Sequence, residues 1–85
     1  MHYVYMLLCE DNSYYTGYTN DLDDRIKQHN LGKASKYTRV RLPVSYVFCK
    51  GFKDKSTAMS FEYKIKQLSK EKKNLLISYD LNDFW

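Results

Sequence analysis

With 85 residues, 44% of them apolar, 16% aromatic and 28% charged, the chain is expected to form one small folded domain, which excludes both a second core and a disordered chain. Its net charge of +4 hides an asymmetry. Residues 1–24 hold five acids and no Lys or Arg, whereas residues 25–73 hold all fourteen bases against three acids, a local excess of +11. Such a surface suits an anionic partner, because neutralised phosphates release counterions; a lysine-rich face that binds nothing in particular explains the charge alone equally well.

From His2 to Cys9 every position after the first is apolar or aromatic, with Tyr3, Tyr5, Leu7 and Cys9 on one face and Val4, Met6 and Leu8 on the other. That pattern predicts a central strand covered on both faces. The run is far short of a membrane span and lacks the basic flank and cleavage site of a signal peptide, so no membrane partner and a cytoplasmic location are expected. Glu10 to Ser13 has turn chemistry and Tyr14 to Tyr18 supplies a second strand, which together predict a β-hairpin. Gly17 inside that strand marks a bulge or a close approach.

Asn20 is the expected N-cap of a helix over residues 21–31, with Asp21, Asp23 and Asp24 favouring the positive end of its dipole and Gly32 as its stop. Residues 33–42, KASKYTRVRL, carry four bases and no acid and read as a basic loop with one helical turn. A third strand is expected over residues 43–50, opened by Pro43. Asp54 or Ser56 caps a helix reaching about Leu68 with Ala58, Phe61, Ile65 and Leu68 as its apolar stripe, and Ser69 caps a short helix ending at Ile77. Residues 78–85 are read as a tail whose last two aromatics are candidates for docking. The order β-β-α-β-α-α predicts an α+β fold, a small three-stranded antiparallel sheet flanked by helices, with residues 1–77 as the domain.

Two cysteines, Cys9 and Cys49, lack a C-x-x-C arrangement, and His2 and His29 complete no zinc spacing, so free thiols are expected. The first helix carries a sharper signal. Leu22, Arg25, Ile26 and His29 fall on one stripe, so half of the face that meets the sheet is polar. Arg25 offers a fork of donors for a phosphate, and His29 can exchange a proton at the same place. On the later helix Glu62 lies at the edge of the apolar stripe, the only acid between Lys55 and Lys70. A carboxylate in that setting is either paired with an arginine or holding a hard cation such as Mg²⁺.

Each residue also has a plain structural reading: a satisfied histidine, an Arg–Glu ion pair between helices, tyrosines that simply favour strands. Nucleotide-cradling glycine loops and a G-x-S-x-G nucleophile turn are not found, and the paired carboxylates of a glycosidase or a two-metal nuclease are not obvious. One carboxylate, one arginine, one histidine and several phenols fit one-metal phosphodiester hydrolysis.

Tyr3-Val4-Tyr5, followed after nine residues by Tyr15-Thr16-Gly17, resembles the paired motif of the GIY-YIG nucleases. DLDDRIKQHN, GKASKYT, RLPVSYVF and EYKIKQLSKEKK are similar to short stand-alone members of that superfamily, and the likeness covers residues 2–77. The resemblance implies a domain that cuts phosphodiester bonds in DNA or RNA with one divalent ion, Mg²⁺ or Mn²⁺. It implies Tyr5 and Tyr15 as candidates for general base and for positioning water or phosphate, and Gly17 as the residue that lets the strand pass close to the site. Arg25 would stabilise the phosphate, His29 assist proton transfer and Glu62 hold the metal, with Asn74 as a further polar residue at the site. Two positions depart from the pattern: Tyr3 stands at the first motif glycine, and Tyr18 stands where repair-type relatives place a lysine. Lys33, Lys36, Arg39 and Arg41 are the expected phosphate contacts. The alternative is a nucleic-acid-binding module of the same fold with little or no turnover.

A geometric demand follows. Side chains alternate along a strand, so Tyr5 and Tyr15 share a face only if paired residue numbers add to an even total. The turn must then hold an odd number of residues or a bulge, leaving Tyr3, Tyr14 and Tyr18 to the sheet.

Overall fold

The computed structural model describes the backbone of residues 1–84 and the side chains of residues 1–78, so the expected docking of the last two aromatics lies outside the described residues. The chain forms the elements β1 (His2–Leu8), β2 (Tyr14–Thr19), α1 (Leu22–Asn30), α2 (Lys36–Arg39), β3 (Ser45–Phe52), α3 (Lys55–Lys66) and α4 (Lys70–Phe84). The sheet is antiparallel with strand order β2-β1-β3, so the most apolar strand takes the centre. The fold is the expected α+β arrangement of three strands flanked by helices.

Both faces of β1 are covered, as its unbroken apolar run predicts. Val4 and Met6 join Phe48, Ala58 and Ile65 on one side, where α3 and the Leu76–Ile77 pair of α4 pack. Tyr5, Leu7 and Cys9 join Val44 on the other, beneath Leu22 and Ile26 of α1. Hence α1 and α3 lie on opposite sides of a thin sheet.

The hairpin meets the parity demand. Leu7 pairs with Tyr15 and Tyr5 with Gly17, an even total, and residues 9–13 make a five-residue loop. That loop is closed by Cys9 N–H donating to the Ser13 carbonyl and Asn12 N–H donating to the Cys9 carbonyl, with Asn12 at φ 66°. Between β1 and β3 the register slips after Met6, which pairs with Phe48 while Leu7 pairs with Tyr46, leaving Val47 as the extra residue.

Four boundaries differ from the sequence expectation. The cap of α1 is Asp21, whose carboxylate accepts from Asp24 N–H at 3.0 Å, while Asn20 lies one residue outside. Strand β3 begins at Ser45 rather than Pro43, because the Asn30 side-chain amide takes both backbone groups of Val44 at 3.1 and 2.9 Å. Helix α3 is capped by Asp54 and ends at Lys66, where Gln67 and Leu68 N–H tighten the last turn onto Lys64 and Ile65. Helix α4 continues past Ile77 to Phe84.

Candidate active site

On the α1 side, three of the sequence-nominated residues meet under β2. The Tyr5 hydroxyl lies 2.8 Å from His29 Nε2, and the Tyr15 ring stands edge-on to the His29 ring with centroids 5.2 Å apart. The other imidazole nitrogen, Nδ1, lies 2.9 Å from the Thr38 hydroxyl. Tyr5, His29 and Thr38 are all 0% exposed, so this chain of polar groups runs through the core itself. Tyr46 braces it from β3, its ring edge-on to Tyr5 at 5.4 Å and its hydroxyl donating to the Leu22 carbonyl.

Gly17 explains the fit. A Cβ there would lie 2.5 Å from the Tyr5 hydroxyl and 2.7 Å from Tyr5 Cζ, so the cross-strand phenol lies flat on the glycine backbone. Of the two readings of this glycine, a bulge or a close approach, the pairing through Gly17 is regular and the approaching group is Tyr5.

Burial governs the charges here. It pushes the Tyr5 phenol far above the ordinary tyrosine range, with the Tyr15 side chain adding to the shift and the Arg25 guanidinium opposing it. It pushes the Tyr46 phenol up to about 12 and, with Arg25 adding repulsion, lowers the His29 imidazole to about 4. Tyr5 and His29 are therefore both neutral near pH 7.

A test follows. His29 ordinarily titrates at 6.5, so between about 4 and 6.5 the unfolded chain binds a proton that the folded chain refuses. Stability is then full above pH 6.5 and falls as pH drops toward 4. Urea unfolding at pH 7 and at pH 5 should show lower stability at pH 5, and His29→Gln should flatten the difference; equal stabilities in the parent protein would contradict the burial of a neutral imidazole. Asp11 and Asp54, both held below the ordinary 3.8 mainly by hydrogen bonds from Ser13 and Thr57, lose their contribution only at lower pH.

Glu62 is not brought onto these groups. It sits on α3, on the other side of the sheet, with its side chain 12% exposed and paired to Lys66 Nζ at 3.5 Å. The expected arginine partner is thus replaced by a lysine one turn along the same helix. Lys66 also lines a groove at the β2 edge together with Tyr14, Tyr15, Thr16, Tyr37 and Lys73. Tyr15 from one face and Lys66, the partner of Glu62, from the other both line this groove.

Several groups at the groove were not singled out from the sequence. Tyr14, assigned there to the sheet alone, donates its hydroxyl to the Asn74 side-chain oxygen, and Lys70 Nζ sits over its ring at 5.8 Å. Asn74 is thereby tied to the groove wall. Tyr37 stacks on Tyr15 at 6.2 Å, and Arg41 lies 3.8 Å from the Tyr37 ring centroid on a guanidinium that also bonds Asp11 and the Tyr37 carbonyl. Arg41 therefore braces the loop, whereas Lys33, Lys36 and Arg39 are exposed.

The GIY-YIG catalytic domain model matches residues 1–74. The chain belongs to the GIY-YIG family. It is 54% identical to a UPF0213 protein of Bacillus velezensis over 89% of this chain and 77% of that protein. It is 49% identical to the UPF0213 protein YazA of Bacillus subtilis over 95% of this chain and 82% of that one. The solution NMR structure of a UPF0213 protein from Bacillus halodurans superposes with a TM-score of 0.62 at 52% identity, covering 92% of this chain and 83% of that one. The GIY-YIG family is of nuclease type, implies a nucleic-acid substrate and is generally metal-dependent.

The donor set of this GIY-YIG domain fits such an ion in one form. Among the described residues no group of three or more His, Cys, Asp and Glu side chains could cage a metal. Glu62 supplies a single carboxylate paired to Lys66, a residue of the groove, and Mg²⁺ commonly takes one or two carboxylates together with substrate phosphates and water. Thr16 Oγ1, on a residue lining the same groove, is buried without a hydrogen-bond partner among the described residues. The lone carboxylate suits a magnesium-type ion and not a zinc cage. Among the described residues no helix is long and apolar enough to cross a membrane.

Proposed function

We propose that this domain is a metal-dependent endonuclease that hydrolyses phosphodiester bonds in DNA or RNA by a one-metal mechanism, with Mg²⁺ or Mn²⁺ held by Glu62. The observation that supports it best is the meeting at one groove of Tyr15, of Lys66 that pairs with Glu62, and of a basic, tyrosine-rich rim. The ion would supply charge stabilisation at the phosphate. Arg25, beside Tyr5 and His29, offers guanidinium donors to a phosphate oxygen. Tyr15, half-buried at the groove, is the motif phenol that meets water or phosphate, while the buried Tyr5 and His29 hold its surroundings in place. Gly17 provides the space for Tyr5, and Asn74 steadies Tyr14 at the groove wall. Residues 1–77 are the functional unit and 78–85 a tail, and the free thiols of Cys9 and Cys49 accord with work in the cytoplasm.

The second reading, a nucleic-acid-binding module with little or no turnover, is favoured by one observation: a lysine already neutralises Glu62, the carboxylate proposed to hold the metal. A cleavage screen decides between them. Purified protein is expected to nick at least one of single-stranded, duplex or branched DNA or RNA in Mg²⁺ or Mn²⁺ and to be silent in EDTA. Binding without any metal-dependent nicking would leave only the second reading.

The basic segment is the proposed phosphate contact under either reading. Replacing Lys33, Lys36 and Arg39 together should lower the slope of log K against log salt by ~2–3, at about 0.7–0.9 per lost phosphate contact. Arg41 belongs to the original set but is tied to Asp11 and Tyr37, so its replacement tests loop integrity as well. An unchanged slope in the triple variant removes the segment from the interface.

A further inference from the structure

We propose that Thr38 is a positioning residue for His29: it accepts the Nδ1 proton of the tautomer whose Nε2 accepts the hydroxyl proton of Tyr5. The kinetic consequence rests on the nuclease reading above; the tautomer assignment rests on hydrogen-bond direction alone.

The direction can be traced through the buried chain. Tyr5 is 0% exposed, and among the described residues the acceptor in reach of its hydroxyl is His29 Nε2 at 2.8 Å. The phenol is buried and this nitrogen is the acceptor in reach, so its proton goes to Nε2. A neutral imidazole with Nε2 as acceptor carries its proton on Nδ1, which then donates to Thr38 Oγ1 at 2.9 Å. Thr38 passes its own hydroxyl proton to the Ser35 carbonyl at 3.4 Å, and every donor is placed. With the opposite tautomer Nε2–H and the Tyr5 O–H would point at each other, leaving a buried phenol proton without an acceptor. The low proton affinity of His29 agrees with a single ring proton.

Thr38 does this from a revealing place. It is the buried residue of α2, the single turn whose other members are Lys36, Tyr37 and Arg39. Tyr37 stacks on Tyr15, and Lys36 and Arg39 are exposed members of the basic segment. One helical turn therefore touches both motif tyrosines, Tyr15 through Tyr37 and Tyr5 through Thr38 and His29. A phosphate held by Lys36 or Arg39 would bear on the same turn that orients the imidazole.

The test is spectroscopic. Long-range ¹H–¹⁵N correlation on ¹⁵N-labelled protein at pH 7 should show His29 with a protonated Nδ1 and an unprotonated Nε2. Thr38→Val, close to Thr in shape but without the hydroxyl, should keep the proton on Nδ1 and move its ¹H signal upfield for want of an acceptor, and Thr38→Ser should restore the parent shift. At saturating nucleic acid with Mg²⁺, Thr38→Val should lower the cleavage rate by about tenfold with KM unchanged, the scale typical of losing a partner that orients a histidine. A parent protein with Nε2 protonated, or a folded Thr38→Val protein whose Nδ1–H signal does not move, overturns the assignment. If Thr38→Val does not fold, the parent spectrum and Thr38→Ser still decide it. A shifted Nδ1–H signal in Thr38→Val protein, with a parent that cleaves nothing, would retain the role of Thr38 and discard the nuclease reading.

Discussion

Glu62→Gln should bind nucleic acid about as well as the parent protein and cleave it at least ~100-fold more slowly, because a positioned cation at a reacting phosphate is worth several kcal/mol. Glutamine keeps the shape and the helix but loses the formal charge, and Lys66 loses the partner that now sits 3.5 Å away. Two opposing effects on binding follow. The groove gains net positive charge, which favours a polyanion, and it loses the carboxylate that would recruit a divalent ion to the phosphate. Binding measured in EDTA isolates the first effect and should rise slightly; binding measured with Mg²⁺ should change little. Stability should barely move, since an ion pair with one well-exposed partner contributes little. Parent-like cleavage by Glu62→Gln would show that the groove does not use this carboxylate and would direct attention to the Tyr15 side of the sheet alone.

That side is where the sequence was most informative. The unbroken run of β1 required a strand covered on both faces, and the structure puts Val4 with Met6 against α3 and Tyr5 with Leu7 against α1. The polar half-stripe of α1 required something unusual beneath it, and His29 is indeed buried against Tyr5. Parity of the hairpin was legible because the alternation of side chains is a strict period of two. What could not be read was partnership across the chain. Thr38 sits in a stretch whose composition speaks only of charge, and its value comes from a hydrogen bond to a residue nine positions away. Likewise the late start of β3 depends on Asn30 imitating a strand neighbour for Val44, which no local propensity encodes.

Lys66 is a different kind of omission. Glu62 and Lys66 stand at i and i+4, the spacing at which helical side chains meet, with the acid N-terminal to the base as the helix dipole prefers. The spacing is visible in the sequence, and the carboxylate takes this lysine on its own helix and not an arginine from another. The groove itself was also out of reach, because its walls come from β2, α2, α3 and α4 and exist only after both faces of the sheet are covered.

Gly17→Ala should cost about 2–3 kcal/mol and lower the melting temperature by ~10–20 °C, a large fraction of the stability of a domain this small. The reason is space and not backbone freedom. The added methyl would stand 2.5 Å from the Tyr5 hydroxyl, 2.7 Å from its Cζ and 3.1 Å from a ring carbon of Tyr15. A flexible neighbour could withdraw, but Tyr5 is 0% exposed, bonded to His29 and flanked edge-on by Tyr46. Moving it breaks a buried hydrogen bond, which adds about 1 kcal/mol to the overpacking cost. The two sites should therefore be strongly coupled: Gly17→Ala combined with Tyr5→Leu is expected to cost clearly less than the two single changes together, because a shortened side chain leaves the new methyl its space. Simple additivity in that cycle would mean that Tyr5 does not lie on Gly17. Cleavage by folded Gly17→Ala protein should fall as well, since the displaced phenol no longer holds His29, and the His29 ring signals should shift in the same samples. A variant with a parent-like melting temperature and unshifted His29 signals would contradict the close approach from which the buried half of this site is built.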